Sequence, residues 1–400
     1  MKRIIAKLTF WNVIAGIIIL SGIVATYVRF VKGLGAATHL SDQFPWGLWI
    51  GFDILCGVGL AAGGFTLAAI VYIFNIKRFE QIIRPTILTA FLGYLLVIVA
   101  LMFDLGRPLQ IWHAIIMWNH HSVMFEVAWC VMLYTTVLAL EFSPMIFEKF
   151  RMNNTLKTFH KISIPLIILG VILSTLHQSS LGSLYLIVPE KLYGLWYSPY
   201  LPVFFYVSAI AAGCAMVILE SCLSSRAFQK SLEKNLLTEL SRISVVALAI
   251  YATMKIVDLK DRDAMNLLFL PRTETYFYWG EIMVGVIVPM ILFSMKKVRS
   301  SQTGLFVGAI FIILGFVMNR LNISLTGMES WAGVSYFPSW MEISVTLTIV
   351  TVGFIAFRLA AKYLPVFKHE PSVSETEFAH PILQDLHRVS RSRERSVILE

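Results

Sequence analysis

"ISIPLIILGVILSTLHQSS", residues 162–180, decides the fold. As far as Leu173 it has hardly a polar atom, and a helix needs about 20 apolar residues to cross a bilayer's hydrocarbon core. At its far end His177, Gln178, Ser179 and Ser180 arrive together. Runs of this kind repeat along all 400 residues, which are 57% hydrophobic and 14% charged. A soluble globular chain carries about 25% charged residues. The chain reads as an all-α, polytopic integral membrane protein, because a spanning backbone must satisfy its own hydrogen bonds. Hydropathy places ten spans near 10–30, 46–74, 84–104, 121–145, 161–181, 200–223, 241–258, 275–295, 304–322 and 339–363. The first run has no small-x-small cleavage site, so it reads as a span and not a signal peptide.

Ten spans put both termini on one side. Of the 33 lysines and arginines, 24 fall on that side, among them Lys77, Arg78, Lys149, Lys296 and Lys297. By the positive-inside rule both termini are cytoplasmic. Topology therefore accounts for the net charge of +9, and a nucleic-acid partner is not called for. Cys56, Cys130, Cys214 and Cys222 fall inside spans with no CxxC spacing, so they read as small apolar side chains. No set of thiolates stands ready to hold an iron–sulfur cluster. Residues 369–400, with "HRVSRSRER", read as a disordered cytoplasmic tail.

A faint repeat runs through the spans. "FDLGR" from Phe103 parallels "VDLKDR" from Val257, and "MFEV" around Glu126 parallels "WGEI" around Glu281. "LGVILSTLHQSS" from Leu169 parallels "LGFVMNRLNISL" from Leu314, which sets His177 against Asn322. "AAGG" at 61–64 matches "AAGC" at 211–214. Four helices per unit make the copies parallel. The expected architecture is two parallel four-helix bundles, spans two to five and six to nine, flanked by spans one and ten. The corresponding boundaries are 1–45 for the first helix and its loop, 46–182 and 183–338 for the bundles, and 339–368 for the last helix. The first copy keeps Asp53 and His177, so the chemistry is expected there.

A charge inside a span costs about 2.5 kcal/mol or more, so each one needs a partner or a purpose. Asp53, Glu126 and His177, with Asp104 and Arg107, come to one depth below the outer face on four successive spans. Asp104 with Arg107 reads either as an ion pair at a helix end or as part of a pocket. Glu126 and His177 read either as each other's hydrogen-bond partners or as the acid and imidazole of a site for a lipid-soluble head group, Gln178 beside them. Tyr94 in mid-membrane and Glu141 and Glu220 near the inner ends would extend such a site into a stepwise proton route. Gly59 and Gly63 form a G-x-x-x-G packing face. The outer connections, "LQIWHAIIMWNHH", "LYGLWYSPYLP" and "MESWAGVSYFPSW", are aromatic and would serve as a docking surface.

"FPWGLWIGFD" (44–53), "FDLGRP" (103–108), "SVMFEVAWCVMLYTTVLALEF" (122–142) and "LHQSSLGSL" (176–184) resemble the NrfD/polysulfide-reductase (PsrC-like) family of integral membrane subunits. The resemblance is closest to the HybB-type membrane subunit of periplasmic nickel–iron hydrogenases and runs from about residue 10 to 367. It implies a quinone-reactive subunit of the bacterial inner membrane, with menaquinone or ubiquinone bound near the periplasmic face. It implies as partners a periplasmic ferredoxin-like iron–sulfur subunit and the small and large [NiFe]-hydrogenase subunits. The positions it links to quinone and proton handling correspond here to Tyr94, Glu126, His177 and Glu220. Such subunits are often labelled cytochrome b, yet a bis-imidazole haem needs two facing intramembrane histidines. Only His177 of the nine falls inside a span, so no haem is expected. Two other readings stay open: an ion or solute transporter built on a parallel repeat, which would want a midplane site, and a purely structural membrane anchor.

Overall fold

Lipid offers the backbone no hydrogen-bond partner, so each apolar run closes its amides within a helix. The computed structural model describes residues 10–229 and 231–367. Residues 369–400 and the basic Lys2, Arg3 and Lys7 lie outside them. Among the described residues there is no strand, and ten helices are long and apolar enough to cross a membrane. They are α1 (Phe10–Lys32), α2 (Trp49–Ile73), α3 (Lys77–Asp104), α4 (Val123–Lys149), α5 (Lys161–Ile187), α6 (Leu201–Phe228), α7 (Lys234–Asp261), α8 (Thr273–Ser294), α9 (Gln302–Ala332) and α10 (Trp340–Tyr363). The expected spans match in number and order. The largest difference is α9, which continues ten residues past 322 through a wide π turn at Asn322–Thr326.

Local chemistry sets several helix starts. Ser122 caps α4 by accepting the amide of Phe125, and Ser301 caps α9 by accepting that of Gly304. Ser339 and Glu342 form a reciprocal capping box on α10. Glu342 also accepts from the Tyr336 hydroxyl and the His39 amide, tying the α1–α2 connection to the α9–α10 connection. Burial, then donation to Glu342, pushes the Tyr336 phenol well above its ordinary value.

Packing follows two rings. α2 meets α3, α3 meets α4, α4 meets α5, and α5 returns to α2; α6, α7, α8 and α9 close in the same way. The rings join where α2 touches α6 and α9, and where α5 touches α6. α2 and α6 approach at Gly63 and Gly213: a Cβ on Gly213 would stand 2.7 Å from the Gly63 nitrogen. These are the two glycines that the repeat sets in register, and equivalent residues meet in this way when a two-fold axis relates two copies. α1 and α10 stand together outside the rings. They pack on each other, and α10 lies along α3, so both cover the first ring.

Candidate functional site

Ser180, His177, Ser174 and Gly170 are spaced three and four residues apart, so they line one face of α5. Glu126, at the start of α4, accepts a hydrogen bond of 2.6 Å from the Ser180 hydroxyl. One turn further in, His177 Nδ1 shares a 2.9 Å hydrogen bond with the Tyr94 hydroxyl of α3. The Tyr94 ring stands edge-on to Tyr134 with centroids 4.7 Å apart. Further still, a Cβ on Gly170 would lie 3.3 Å from Glu141 Oε1, so the missing side chain leaves that carboxylate its place. From Ser180 to Gly170 the line covers about 15 Å at 1.5 Å per residue. Tyr94, Ser174 and His177 are wholly enclosed, whereas Glu126 is exposed. The Nε2 atom of His177 is buried and has no hydrogen-bond partner.

Glu126 and His177 are thus neighbours on one line but do not bond each other; Ser180 stands between them. The remaining expected residues divide. Gln178 donates to the Val58 carbonyl across 3.1 Å, pinning α5 to α2. Asp53 accepts from Thr346 of α10 at 2.7 Å. Asp104 has no ion pair with Arg107, which is exposed in the α3–α4 connection. Its cationic neighbour is Arg29 of α1, whose guanidinium donates to the carbonyls of Phe103 and Leu105. Asp53 therefore bonds towards α10, and Asp104 has its cation on α1. Glu220 of α6 accepts from Ser224 at 2.8 Å through Oε1, while Oε2 is buried without a partner.

A second polar centre, in the other ring, lies outside the residues expected from the sequence. Arg29, Lys255 and Arg320, three of the nine cations outside the 24 on the side of the termini, are buried within spans. Glu281 accepts from Trp196 Nε1 (3.1 Å), Asn319 (3.1 Å) and Asn322 (2.7 Å). Asp258 holds Arg262 at 2.8 Å and accepts from Ser198 at 2.6 Å. Polar residues recurring on α7 and α9 at helical spacing (Tyr251, Lys255, Asp258; Asn319, Asn322) were the available signal.

The donor sets bear on cofactors. The four cysteines are buried and free, and no group of three metal-binding side chains gathers among the described residues. The side chains of His39, His113, His120 and His121 belong to connections between spans, with His39 Nδ1 on the Phe337 carbonyl at 2.8 Å. A facing pair of intramembrane histidines is therefore not present among these residues. The connections on the Asp104 face expose large apolar side chains, including Leu109, Met117, Trp118, Phe269 and Phe337.

Comparison with known proteins adds a lineage. The family described as "Polysulphide reductase, NrfD" matches residues 36–332. A protein of Nitratidesulfovibrio vulgaris is 40% identical over 91% of this chain and 96% of its own length. The probable Ni/Fe-hydrogenase 2 b-type cytochrome subunit of Escherichia coli is 34% identical, covering 84% of this chain and 87% of that one. The integral membrane subunit of a menaquinone reductase from Nitratidesulfovibrio vulgaris is 28% identical across 92% and 94%.

Proposed function

The chain belongs to the polysulphide reductase NrfD family, a family of membrane subunits of redox complexes, and on that premise we propose that it is the quinone-reactive subunit of a periplasm-facing respiratory hydrogenase. Electrons from a [NiFe] small and large subunit pair pass through a ferredoxin-like iron–sulfur subunit to menaquinone or ubiquinone, and this chain supplies the quinone site and its protons. It sits in the bacterial inner membrane with both termini cytoplasmic. The aromatic connections on the Asp104 face are the docking surface for the iron–sulfur partner.

One observation carries the reading: an enclosed histidine nitrogen without a partner, on a polar line that opens at an exposed carboxylate. With Tyr94 donating to Nδ1, Nε2 keeps its proton and offers it to an acceptor such as a quinone carbonyl. Glu126, bonded to Ser180, exchanges protons at the open end. Reducing a quinone takes up two electrons and two protons, so an imidazole and a carboxylate on one line suit the demand. Glu141 and Glu220 lie towards the opposite face and serve as entry points for protons from the cytoplasm. The chain carries no haem: the described histidines supply one intramembrane ligand, and a haem of this kind needs two. A reduced spectrum free of b-type bands is the expected result.

Complexes carrying His177→Ala or Glu126→Gln should assemble, lose quinone-linked hydrogen oxidation, and keep activity with a soluble dye that draws electrons from the periplasmic partner. Full quinone-linked activity in both variants would refute the site. Failure to assemble in both would favour a structural anchor.

A further inference from the structure

The quinone reading leaves the second ring's buried charges unused. Glu281 accepts three hydrogen bonds, all from uncharged N–H groups. The Asn319 side chain that donates to it also accepts from Arg320 Nη1 at 2.7 Å, so one amide bridges a carboxylate and a guanidinium. Arg320 further donates to the Phe205 carbonyl and to Ser208, and its Cζ lies 3.6 Å from the Phe205 ring centroid. That pair is neutral, although Arg320 Nε is left without a hydrogen-bond partner. Lys255 has no such counterpart of its own: 2% exposed, its Nζ has no hydrogen-bond partner and lies over the rings of Phe204 (4.8 Å) and Tyr278 (5.9 Å). Asp258, one turn away, is taken by Arg262. With every group ionised the cluster holds one surplus positive charge in an apolar interior, a costly arrangement unless the charge can leave.

Beside Glu281 lies a cavity of about 30 Å³, lined by Ser208, Tyr251, Glu281 and Asn319 among others. A water needs roughly 10–15 Å³ of such space and two to four polar partners, so the cavity suits about two waters and is far too small for a quinone. A metal ion would find a single carboxylate there with Lys255 and Arg320 near it, and an anion would meet Glu281. The backbone widens into π turns at Met283–Ile287, just after Glu281, and at Asn322–Thr326, where Asn322 donates to it. Such turns recur at functional positions.

We propose that Lys255 and Glu281 form a second proton-binding site, which gains and loses one proton through water in this cavity. The pair holds one proton between the Lys255 amine and the Glu281 carboxylate, and Glu281 is the member that lines the cavity. Release breaks the O–H bond of the Glu281 carboxyl and hands the proton to cavity water, leaving a neutral amine beside a carboxylate, and uptake reverses the step with no electrons moved. The titratable groups that face the site are Tyr251 and Asp258 from α7, Arg262 just past its end, Tyr278 from α8, and Arg320 from α9, with Tyr185 and Cys56 near Arg320. α6 presents Phe204, Phe205, Ser208 and Ala211, none of which carries a charge.

The site does not rest on the quinone reading, and its test uses no quinone. The full chain in lipid membranes is titrated with pH while infrared difference spectra follow its carboxyl and carboxylate bands in H₂O and D₂O. The expected result is a titrating, deuterium-sensitive carboxyl signal that Glu281→Gln removes. Lys255→Met should displace its midpoint by about tenfold or more in proton concentration, as loss of a nearby charge does. Tyr251→Phe should keep the signal but slow its deuterium exchange. If Glu281→Gln does not assemble, the Lys255→Met displacement decides alone. Spectra identical in wild type and Glu281→Gln, or a midpoint that ignores Lys255→Met, would overturn the proposal.

Discussion

Tyr94→Phe isolates one bond in the candidate site. It removes a hydroxyl from a ring that is wholly enclosed and leaves every carbon contact in place, including the edge-on packing against Tyr134. The loss is the 2.9 Å hydrogen bond to His177 Nδ1. Because Nε2 is already unpartnered, the imidazole would then be buried with neither nitrogen bonded. A buried polar atom deprived of its partner costs about 1–3 kcal/mol. If that bond fixes which nitrogen carries the proton, the same energy is missing from the transition state. At about 1.4 kcal/mol per tenfold, quinone-linked turnover should fall by roughly 5- to 150-fold. The assay compares quinone-linked and dye-linked hydrogen oxidation in assembled complex, with thermal unfolding in parallel. The dye-linked rate should stay within error of wild type. An unchanged quinone-linked rate in an assembled complex would refute the reasoning, because the imidazole's orientation would then not depend on Tyr94.

Other expectations test the frame around the site. Gly213→Ala would place a methyl 2.7 Å from the Gly63 nitrogen and 2.8 Å from the Ala62 carbonyl carbon, so backbone and not a side-chain tip must yield. It should destabilise the chain by about 1–3 kcal/mol, whereas Gly16→Ala, which meets nothing within 4 Å, should be silent in the same unfolding assay. Tyr336→Phe removes the donor to Glu342, a charge-assisted bond worth about 1.5–3 kcal/mol. Because the folded phenol titrates above its ordinary value of about 10, that contribution is fully present below about pH 10 and disappears only as pH rises through the higher folded value. The gap in melting temperature between wild type and variant should accordingly hold from neutral to mildly alkaline pH; a gap that closes below about pH 9 would contradict the assignment. Reporter fusions after Lys77 or Lys296 should read cytoplasmic, and those near Lys191 or Glu329 periplasmic. Two reversed signals would move the site to the other face.

The spans were legible because burial in lipid imposes an uninterrupted apolar run, a signal local in sequence. The same locality misplaced the end of α9. Asn322, Ser324 and Thr326 look like the polar edge of a span, yet the helix runs on because Asn322 finds Glu281 of α8 and Ser324 bonds back to the Arg320 carbonyl. His177, Tyr94 and Glu126 could be named from residue type and depth. Their pairing could not, since it depends on which faces of α3, α4 and α5 turn inward. Arg29 shows the limit most clearly: its partners are carbonyls 74 and 76 residues away, and a count of charges per loop cannot see them. Lys255 and Arg320 escaped for the same reason, so the second polar centre is a finding of the fold.

The most direct measurement is photolabelling of the assembled complex in native membranes with a photoreactive quinone, followed by mass spectrometric mapping. A quinone site beside Glu126 and His177 should give competable labels on peptides of α4 and α5 around Glu126 and Ser180, lost when excess menaquinone is added. Competable labels confined to α7, α8 and α9, or labels that menaquinone does not displace, would contradict it.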